Sequence, residues 1–185
     1  MRVIAGSARR TNLVTPAGMD TRPTTDRIKE TLFNMINYDL PDCRFLDLFA
    51  GSGGIGIEAL SRGAREAVFV EQAAEPLRCI RTNLEKTAFT EQSRVLAMDV
   101  MGALKVLEAD GTPFDIIFMD PPYRDGFEER ILRILSDSKL CTPETLIIIE
   151  AALDTEFAYA ETLGFTLVRQ KQYKTNQHVF IKQTC

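Results

Sequence analysis

The sequence predicts an α/β fold in which a seven-stranded, mostly parallel sheet carries helices on both faces. Three observations support this prediction. Short apolar runs alternate with longer amphipathic stretches through most of the chain, a glycine-rich turn joins one such run to a helix, and the last two runs lie close enough to form an antiparallel hairpin. With 185 residues, the chain has the length of a single domain and can bury roughly 70% of the surface of its unfolded state.

The first 23 residues are predicted to form a small basic β-hairpin ahead of a core that spans residues 24–185. Two short apolar strands, 2–5 and 13–15, flank a polar tip that contains two arginines. The tip can therefore present positive charge to solvent.

A helix is expected after this hairpin. Thr24 and Thr25 are suitable caps, Asp26 places negative charge in the first turn, and apolar residues then recur on one face until about Asn37. Beyond it, strands alternate with helices, which is the order of a parallel sheet. The remaining core strands are predicted at 45–48, 67–71, 94–98, 114–119 and 146–150, the helices at 75–87, 100–109, 127–136 and 154–163, and the terminal antiparallel pair at 165–173 and 179–182.

A glycine-rich turn follows the first of these core strands and leads into a helix that starts near Ile55. Gly51, Gly53 and Gly56 let the backbone turn sharply and approach a ligand without a Cβ in the way. The free N–H groups at the start of the helix attract a negatively charged group. The turn is therefore a predicted binding site for a small anionic cofactor.

The glycine spacing also matches the G-x-G-x-x-G pattern of dinucleotide-binding proteins, with Glu71 twenty residues after Gly51. Two features favour a different cofactor. Asp47 lies within the strand before the turn, and Asp120-Pro121-Pro122-Tyr123 follows a later strand. In combination these features resemble the class I methyltransferases that depend on S-adenosylmethionine (SAM), whose fold is Rossmann-like.

Four acidic residues mark the carboxyl ends of successive strands, where ligands of open α/β sheets bind: Asp47, Glu71, Asp99 and Asp120. An acid at this position can also cap the next helix, but four in register favour a ligand. In a SAM-dependent enzyme, Glu71 would accept hydrogen bonds from the ribose hydroxyls and Asp99 from the adenine amino group. Asp47 would lie near the methionine end, where its charge complements the ammonium group and it can brace the glycine turn. The resemblance implies a cofactor-binding set of Asp47, Phe49, Gly51, Ser52, Gly53, Glu71, Gln72, Asp99, Val100 and Asp120.

The Asp-Pro-Pro-Tyr tetrad, made of Asp120, Pro121, Pro122 and Tyr123, is the predicted catalytic site. Two prolines after a strand end the strand and hold the carbonyl groups outward. An exocyclic amine is a poor nucleophile because its lone pair is delocalised into the base. If the Asp120 carboxylate and the Pro121 carbonyl accept its N–H bonds, the lone pair is aimed at the methyl carbon. Tyr123 would stack on the base.

Other residues complete the predicted site. The methionine carboxylate of SAM needs donors, for which the N–H groups of the glycine turn, Thr25 and Lys29 are candidates. Phe127 or Arg124 would close the acceptor pocket. The single histidine, His178, is expected to be a solvated or strand-face residue, and the four cysteines are widely spaced, so no metal site is expected.

Charge is distributed unevenly along the chain. The net charge is −4, yet residues 38–163 carry 12 Arg and Lys against 23 Asp and Glu, whereas residues 1–37 and 164–185 are basic. Basic ends suit phosphate contacts with RNA, although such charge also serves solubility. The predicted RNA contacts are Arg2, Arg9, Arg10, Arg22, Lys171 and Lys174.

The resemblance extends to one family of methyltransferases. The opening Arg2-Val3-Ile4-Ala5-Gly6, the run 22–34, the glycine turn within 45–63 and the tetrad occur together in a chain of 185 residues without a separate recognition domain. This combination closely resembles the RsmD family of bacterial 16S rRNA guanine-N2 methyltransferases over nearly the whole chain. One departure is Lys174-Thr175-Asn176, where a glycine-containing link between the last strands is expected.

The resemblance implies a reaction and a partner. SAM would donate a methyl group to N2 of a guanine in 16S rRNA, with S-adenosylhomocysteine as the product and a partly assembled 30S subunit as the substrate particle. No apolar run approaches the ~20 residues of a membrane span, and the N-terminus lacks a signal-peptide pattern. We therefore expect a cytoplasmic monomer with no membrane partner.

Alternatives from other classes remain open because the tetrad alone does not choose among them. A methyltransferase for adenine N6 in DNA or RNA is one; a DNA enzyme would usually carry a recognition insert after the tetrad, and 124–146 is short for one. A protein-glutamine methyltransferase would ordinarily have Asn in place of Asp120. A non-catalytic RNA-binding module with this fold would have no need to keep Asp120 together with the glycines.

Overall fold

The computed structural model describes residues 1–17, 23–123 and 125–184, and for residues 23–25 the backbone alone. The strands are β1 (Arg44–Asp47), β2 (Glu66–Glu71), β3 (Ser93–Ala97), β4 (Ile116–Met119), β5 (Leu146–Ala152), β6 (Phe165–Gln172) and β7 (Asn176–Gln183). The α-helices are α1 (Pro23–Met35), α2 (Gly54–Ser61), α3 (Ala74–Thr87), α4 (Val100–Asp110), α5 (Phe127–Leu135) and α6 (Tyr159–Thr162). The alternation of strands and helices is confirmed.

The described strands form one seven-stranded sheet with the order β3-β2-β1-β4-β5-β7-β6. Strands β1 to β5 pair in parallel, and β7 pairs antiparallel with both β5 and β6. This arrangement confirms the predicted sheet and its terminal antiparallel hairpin. The order reverses between β1 and β4, which is where open α/β sheets bind ligands.

Two apolar layers cover the sheet because successive strand residues point to opposite faces. On one face, Leu46 and Ile117 pack with residues of α4, α5 and α6. On the other face, the buried rings of Phe45, Phe69 and Phe118 pack with α1, α2 and α3. Since burying one such side chain contributes roughly 1.5–3 kcal/mol, the aromatic layer holds α2 firmly against β1 and β2.

The N-terminal arm, residues 1–14, folds back on itself in a short hairpin-like turn, although its only regular β pairing among the described residues is the antiparallel bridge between Arg2 and Asn12. The N–H groups of Val3, Arg10 and Leu13 donate across the arm to the carbonyls of Thr11, Val3 and Met1 at 2.9 to 3.0 Å. The arm also bonds α2, because the N–H groups of Ile4 and Ala5 donate to the Glu58 carboxylate at 2.8 and 3.0 Å. The backbone donors of the arm are therefore satisfied partly within the arm and partly by α2.

Glu58 is fully buried and is neutralised by two cations. Lys29 Nζ lies 3.2 Å from its carboxylate, and Arg62 Nε donates to it at 2.9 Å. Lys29 Nζ also donates to the Arg2 carbonyl at 2.7 Å. Burial lowers the pKa of Lys29, and the charge of Glu58 opposes this effect. A buried carboxylate held by cations and N–H groups is costly to disrupt, so the arm is fixed to α2 and α1.

A close backbone contact reinforces this docking. Gly6 has φ +83°, and a Cβ there would lie 1.7 Å from the Ser61 carbonyl oxygen. The Ser7 N–H donates to the same oxygen at 2.8 Å, and the Ala8 N–H donates to Ser61 Oγ at 3.0 Å. Only glycine fits at position 6, since any other residue would push the arm off the end of α2.

Several element boundaries differ from the predictions. The sequence predicts a helix over 154–163, but α6 covers Tyr159–Thr162 because Gln177 Nε2 donates to the carbonyls of Ala152 and Thr155 at 2.9 and 3.1 Å and holds this segment outside a helix. Strand β7 begins three residues earlier than predicted, at Asn176. His178 is therefore a strand residue, and it is buried, so the expectation of a solvated side chain is wrong.

Three of the cysteines lie in the protein interior. Cys43, Cys79 and Cys141 are buried free thiols. Burial raises the pKa of Cys43 to about 12 and that of Cys141 to about 11, so both are unreactive near neutral pH. None of the described helices combines the length and apolar character needed to cross a bilayer.

Candidate active site

A cleft of about 910 Å³ opens at the carboxyl ends of β1, β2 and β4, at the reversal of strand order. Its volume suits a ligand of nucleoside size. Most of the predicted site residues line it: Phe49, Gly51, Glu71, Gln72, Asp99, Val100, Asp120, Pro121, Pro122 and Tyr123. The sheet thus brings together residues that are up to 74 positions apart in the sequence, from Phe49 to Tyr123.

Gly51 forms the part of the glycine turn that faces the cleft. Its φ is +53°, and a Cβ built there would meet nothing within 4 Å, so bare backbone borders open space. The Gly51 N–H donates to Glu71 Oε2 at 3.0 Å. The other oxygen of Glu71 accepts the N–H groups of Gln72 and Ala73, both at 2.8 Å. Glu71 therefore fixes the turn and keeps its carboxylate at the cleft wall.

Three predicted cofactor-binding residues, Asp47, Ser52 and Gly53, are not among the described residues that line the cleft. Gly53 is the N-cap of α2 with φ +82°, and a Cβ there would approach the side chains of Ile57, Ile80 and Phe69 at 3.3 to 3.5 Å. Ser52 is buried, and its carbonyl accepts a hydrogen bond from Asn83 Nδ2 at 2.9 Å. These residues support the turn from within the protein.

Asp47 is buried at the end of β1. Its Oδ2 accepts the Gly56 N–H at 3.2 Å, while Oδ1 has no hydrogen-bond partner among the described residues. Burial raises the pKa of Asp47 to about 7, and the charge of Glu71 adds to this, although the N–H groups of Gly56 and Phe49 oppose it. Asp47 thus braces the turn and contributes negative potential behind the cleft.

Asp99 caps helix α4 and also borders the cleft. Its Oδ1 accepts the N–H groups of Met101 and Gly102, both at 3.0 Å, so the capping role that an acid after a strand can have is observed. Both bonds use the same oxygen, which leaves Oδ2 for a ligand. Val100, which is buried, and Met98 form an apolar wall beside it that suits a planar ring.

Asp120 follows β4 directly and opens onto the cleft. Desolvation raises the pKa of Asp120 to about 8, and the charges of Glu150 and Asp47 add to this. Asp120 is nevertheless exposed at the open cleft, where the negative charges of the two acids oppose its ionisation. A cation in the cleft would be attracted to this group of carboxylates.

Tyr123 is 44% exposed beside the pocket. Burial of its ring and the charges of Glu150 and Asp120 raise the pKa of Tyr123 to about 12, while a hydrogen bond with Asn176 opposes the rise. The phenol is therefore neutral at physiological pH, and its ring is free to contact a planar ligand. This placement leaves the ring of Tyr123 accessible for the predicted stacking on a base.

Aromatic and basic side chains of α5 form the outer wall of the cleft. The rings of Phe49 and Phe127 are in a T-shaped contact with centroids 5.6 Å apart. The Arg130 guanidinium lies 5.3 Å from the Phe127 centroid and also lines the cleft. Phe127 is thus placed near the pocket as expected, and Arg124 lies outside the described residues.

The predicted RNA contacts of the N-terminal arm lie at the surface. Arg9 and Arg10 are exposed at the tip of the arm. The Arg2 side chain is 61% exposed, and its guanidinium lies 3.3 Å from the Asp26 carboxylate. Arg22 lies outside the described residues. The arm is connected to the glycine turn through Asn83, which bonds both the Val14 backbone and the Ser52 carbonyl.

A second basic segment lies on the other side of the tetrad. Lys171 on β6 and Lys174 in the turn that follows are both exposed. The same turn leads into Asn176, whose side chain bonds Tyr123 and Glu150. The turn between β6 and β7 is therefore part of the acceptor side of the cleft.

The structure corrects one candidate for the methionine carboxylate. Lys29 is buried against Glu58 and the Arg2 carbonyl, so it does not face the cleft. The side chain of Thr25 lies outside the described part of the chain. The N–H groups of the glycine turn stay a candidate, and no side chain caps α2 at Gly53.

Sequence reasoning missed Glu150, Asn176 and His178, which form a polar cluster behind Asp120. The sequence does not indicate a partner for the single histidine, because its contact with Glu150 depends on the antiparallel register of β5 and β7. Within the described residues, no group of His, Cys, Asp or Glu side chains is arranged to hold a metal ion.

Comparisons with known proteins agree with this geometry. A family model described as conserved hypothetical protein 95 matches residues 1–182. The chain is 37% identical over 154 residues to the ribosomal RNA small subunit methyltransferase D of Escherichia coli (strain K12), an alignment that covers 83% of this chain and 76% of that protein.

Solved structures show the same architecture. A hypothetical protein of Thermus thermophilus superposes with a TM-score of 0.82 at 31% identity, covering 98% of this chain and 99% of that one. A SAM-dependent methyltransferase from Agrobacterium tumefaciens superposes with a TM-score of 0.66 at 15% identity, covering 97% of this chain and 66% of that one. The second likeness concerns the fold alone.

Proposed function

The chain belongs to the RsmD family of methyltransferases, and we propose that it transfers a methyl group from SAM to N2 of a guanine in the 16S rRNA of the small ribosomal subunit. The proposal rests on one observation. The same cleft is lined by the glycine turn, by the acids at the carboxyl ends of β2 and β3, and by the proline-containing tetrad. The family resemblance supplies the guanine, and the name of the E. coli relative supports the small-subunit rRNA. A small subunit still in assembly is the proposed substrate particle.

The residues of the cleft fit SAM chemically. Open space beside Gly51 admits a ligand against the backbone. The carboxylates of Glu71 and Asp99 can accept hydrogen bonds from hydroxyl and amino groups, and the apolar side chains near Val100 suit an adenine ring. The raised pKa of Asp120 reflects negative potential that favours a cation. When bound, SAM supplies an electrophilic methyl group on a positively charged sulfur.

The tetrad would hold the acceptor amine. Asp120 and the Pro121 carbonyl accept its N–H bonds, so that the nitrogen lone pair points toward the cofactor side of the cleft. Two successive prolines have no backbone N–H and restrict φ, which keeps this corner rigid. Tyr123, partly exposed at the rim, stacks on the base.

The experiment that tests this function incubates the protein with radiolabelled SAM and four acceptors: small ribosomal subunits, free 16S rRNA, DNA and total protein. We expect label in the small subunits and in no DNA or protein fraction. Digestion of the labelled rRNA to nucleosides should yield N2-methylguanosine. Recovery of N6-methyladenosine, or label in DNA or protein instead of rRNA, would contradict the proposal.

The pH dependence of SAM binding follows from the raised pKa of Asp120. At pH 6 the free protein carries a proton on Asp120, whose pKa is about 8, and much of one on Asp47, whose pKa is about 7. A bound cation favours the carboxylates, so binding releases protons and affinity rises with pH through about 8 before it levels off. We expect the affinity for SAM to rise about tenfold from pH 6 to pH 8.

Titration calorimetry in buffers with different ionisation enthalpies measures this proton release directly. S-adenosylhomocysteine is the matched control, because its sulfur is neutral while the rest of the ligand is the same. Its affinity should change less between pH 6 and pH 8. Equal pH dependence for the two ligands would show that the carboxylates do not respond to the sulfonium charge.

Reversing the charge of the arm should weaken RNA binding. In Arg9→Glu/Arg10→Glu, two exposed cations become anions, and removal of phosphate contacts should lower affinity for 16S rRNA at least about tenfold and reduce the slope of log affinity against log salt concentration by about 2. Filter binding at several salt concentrations measures both quantities.

The matched control for this pair is Arg133→Glu/Lys139→Glu. Both residues are exposed, and they belong to α5 and the segment after it, on the face of the sheet opposite to α2 and the arm. The control should keep the salt slope of the unaltered protein. Equal loss in both double variants would indicate a general effect of net charge and would remove the arm from the RNA-binding surface.

A further inference from the structure

A second carboxylate lies behind Asp120 on the neighbouring strand. In the parallel pairing of β4 and β5, Met119 is the partner of Ile149, so the next residues, Asp120 and Glu150, follow on neighbouring strands, and Asp120 lines the cleft. The charge of Glu150 contributes to the raised pKa of Asp120. Two acids this close repel each other when both are ionised, so their placement needs a reason.

Glu150 is held in place by two donors from β7. Asn176 Nδ2 donates to Glu150 Oε1, and His178 Nε2 lies 3.1 Å from Glu150 Oε2. The antiparallel register makes Glu150 and His178 direct cross-strand partners. His178 is 1% exposed and Asn176 is 6% exposed, so the clamp around the carboxylate is built into the protein interior.

Tyr173 orients the histidine from its other side. The Tyr173 hydroxyl lies 3.1 Å from His178 Nδ1. When the Nε2–H group donates a hydrogen bond to the Glu150 carboxylate, Nδ1 is left to accept one from the tyrosine hydroxyl. The clamp therefore holds the Glu150 side chain in a fixed orientation beside Asp120.

The surroundings of the two carboxylates contain several titratable groups from different strands. Glu150 acts on the pKa values of Tyr123 and Tyr173, which burial raises to about 12 in both cases. These phenols stay neutral in the range where the carboxylates titrate. The groups that face the pair are Asp47 from β1, Tyr123 from the tetrad, Tyr173 from the turn after β6, His178 from β7, and the exposed cross-strand neighbour of His178, Lys171.

Methyl transfer to an amine creates a proton that must leave. The acceptor nitrogen gains a bond to carbon, the electron pair of the broken carbon–sulfur bond stays on sulfur, and the positively charged nitrogen then loses one proton to become a neutral N-methylamine. We propose that Glu150, clamped by Asn176 and His178, is a positioning residue for this reaction: it keeps a second negative charge behind Asp120, so that Asp120 takes up the released proton. The proposal rests on the proposed function, and the proton passes from Asp120 to solvent through the open cleft.

The test is the pH profile of single-turnover methyl transfer from SAM to small ribosomal subunits. In the unaltered protein the rate should rise with pH as Asp120 ionises. Glu150→Gln removes the charge with little change in shape, so the midpoint of this rise should move to lower pH by about one unit, and the plateau should fall several-fold. Glu150→Asp keeps the charge near Asp120, so the midpoint should stay within about 0.3 units of the unaltered protein and the plateau should be higher than in Glu150→Gln.

Glu144→Gln is the matched control, since Glu144 is exposed just before the opposite end of β5; its profile should match the unaltered protein. An unmoved midpoint in Glu150→Gln would overturn the proposal, and so would a Glu150→Asp profile that shifts as far as that of Glu150→Gln. If Glu150→Gln does not fold, Glu150→Ala removes the same charge, and an unmoved midpoint in that variant would overturn the proposal. A protein that transfers no methyl group to rRNA at any pH would overturn the proposed function together with the role of Glu150. Activity on rRNA with an unshifted Glu150→Gln profile would overturn the role of Glu150 alone.

Discussion

Asp120→Ala is expected to lower the rate of methyl transfer at least about a thousandfold while SAM continues to bind. The variant loses both the acceptor for the amine N–H and the group that takes up its proton. The raised pKa of Asp120 means that the free protein holds it largely neutral at pH 7, so the carboxylate contributes little to SAM affinity there. Single-turnover assays and calorimetry measure the two effects separately.

Two further variants give this prediction its controls. Asp120→Asn keeps one oxygen that can accept an N–H bond but cannot take up a proton, so its rate should lie between those of the alanine variant and the unaltered protein. Asp137→Ala, an exposed acid after α5, should have normal activity. Activity above a tenth of normal in Asp120→Ala would remove Asp120 from the mechanism.

Gly53→Val is expected to abolish SAM binding. At φ +82°, the left-handed backbone conformation destabilises valine by about 1–2 kcal/mol. A Cβ at this position lies 3.3 to 3.5 Å from Ile57, Ile80 and Phe69, so the branched side chain of valine would collide with them. The relief of these contacts must move the start of α2 and the glycine turn. We expect a loss of affinity of at least about a hundredfold in calorimetry, with a lower thermal midpoint.

Gly164→Val is a matched control for backbone strain. Gly164 has φ +79°, almost the same value, but a Cβ there would meet nothing within 4 Å. This variant should show the strain as a lower thermal midpoint and still bind SAM normally. If both valine variants bound SAM equally well, the geometry of the turn at Gly53 would not determine cofactor binding.

The sequence predicted which glycines and acids lie at the strand ends around the cleft, because each of these predictions depends only on residues close by in the sequence. The glycines after β1 and the acids after β2, β3 and β4 occupy positions set by neighbouring residues, and parallel strands bring their carboxyl ends to one edge. Asp47 shows both the success and the limit of this reasoning. Its hydrogen bond with the Gly56 N–H is the predicted bracing of the turn, but its burial away from the cleft could not be predicted from its position at a strand end.

Features that depend on distant partners could not be predicted. The arm reads as a hairpin by its apolar pattern and does fold back on itself, but nothing in that pattern indicates that Glu58 and Ser61 of α2 bind its backbone. The Glu150–His178 pair appears only after β7 is inserted between β5 and β6 in antiparallel register. Nothing near His178 in the sequence indicates which carboxylate it meets.

The docking of the arm on α2 bears on how a target nucleotide would be selected. Helix α2 begins at the glycine turn and ends beneath the arm at Ser61, a rigid span of about 12 Å for its eight residues. An RNA strand held at the arm would therefore meet the methyl donor at a constant separation. Target choice would then depend on the three-dimensional spacing between a phosphate and a splayed-out base, with no need to read neighbouring bases.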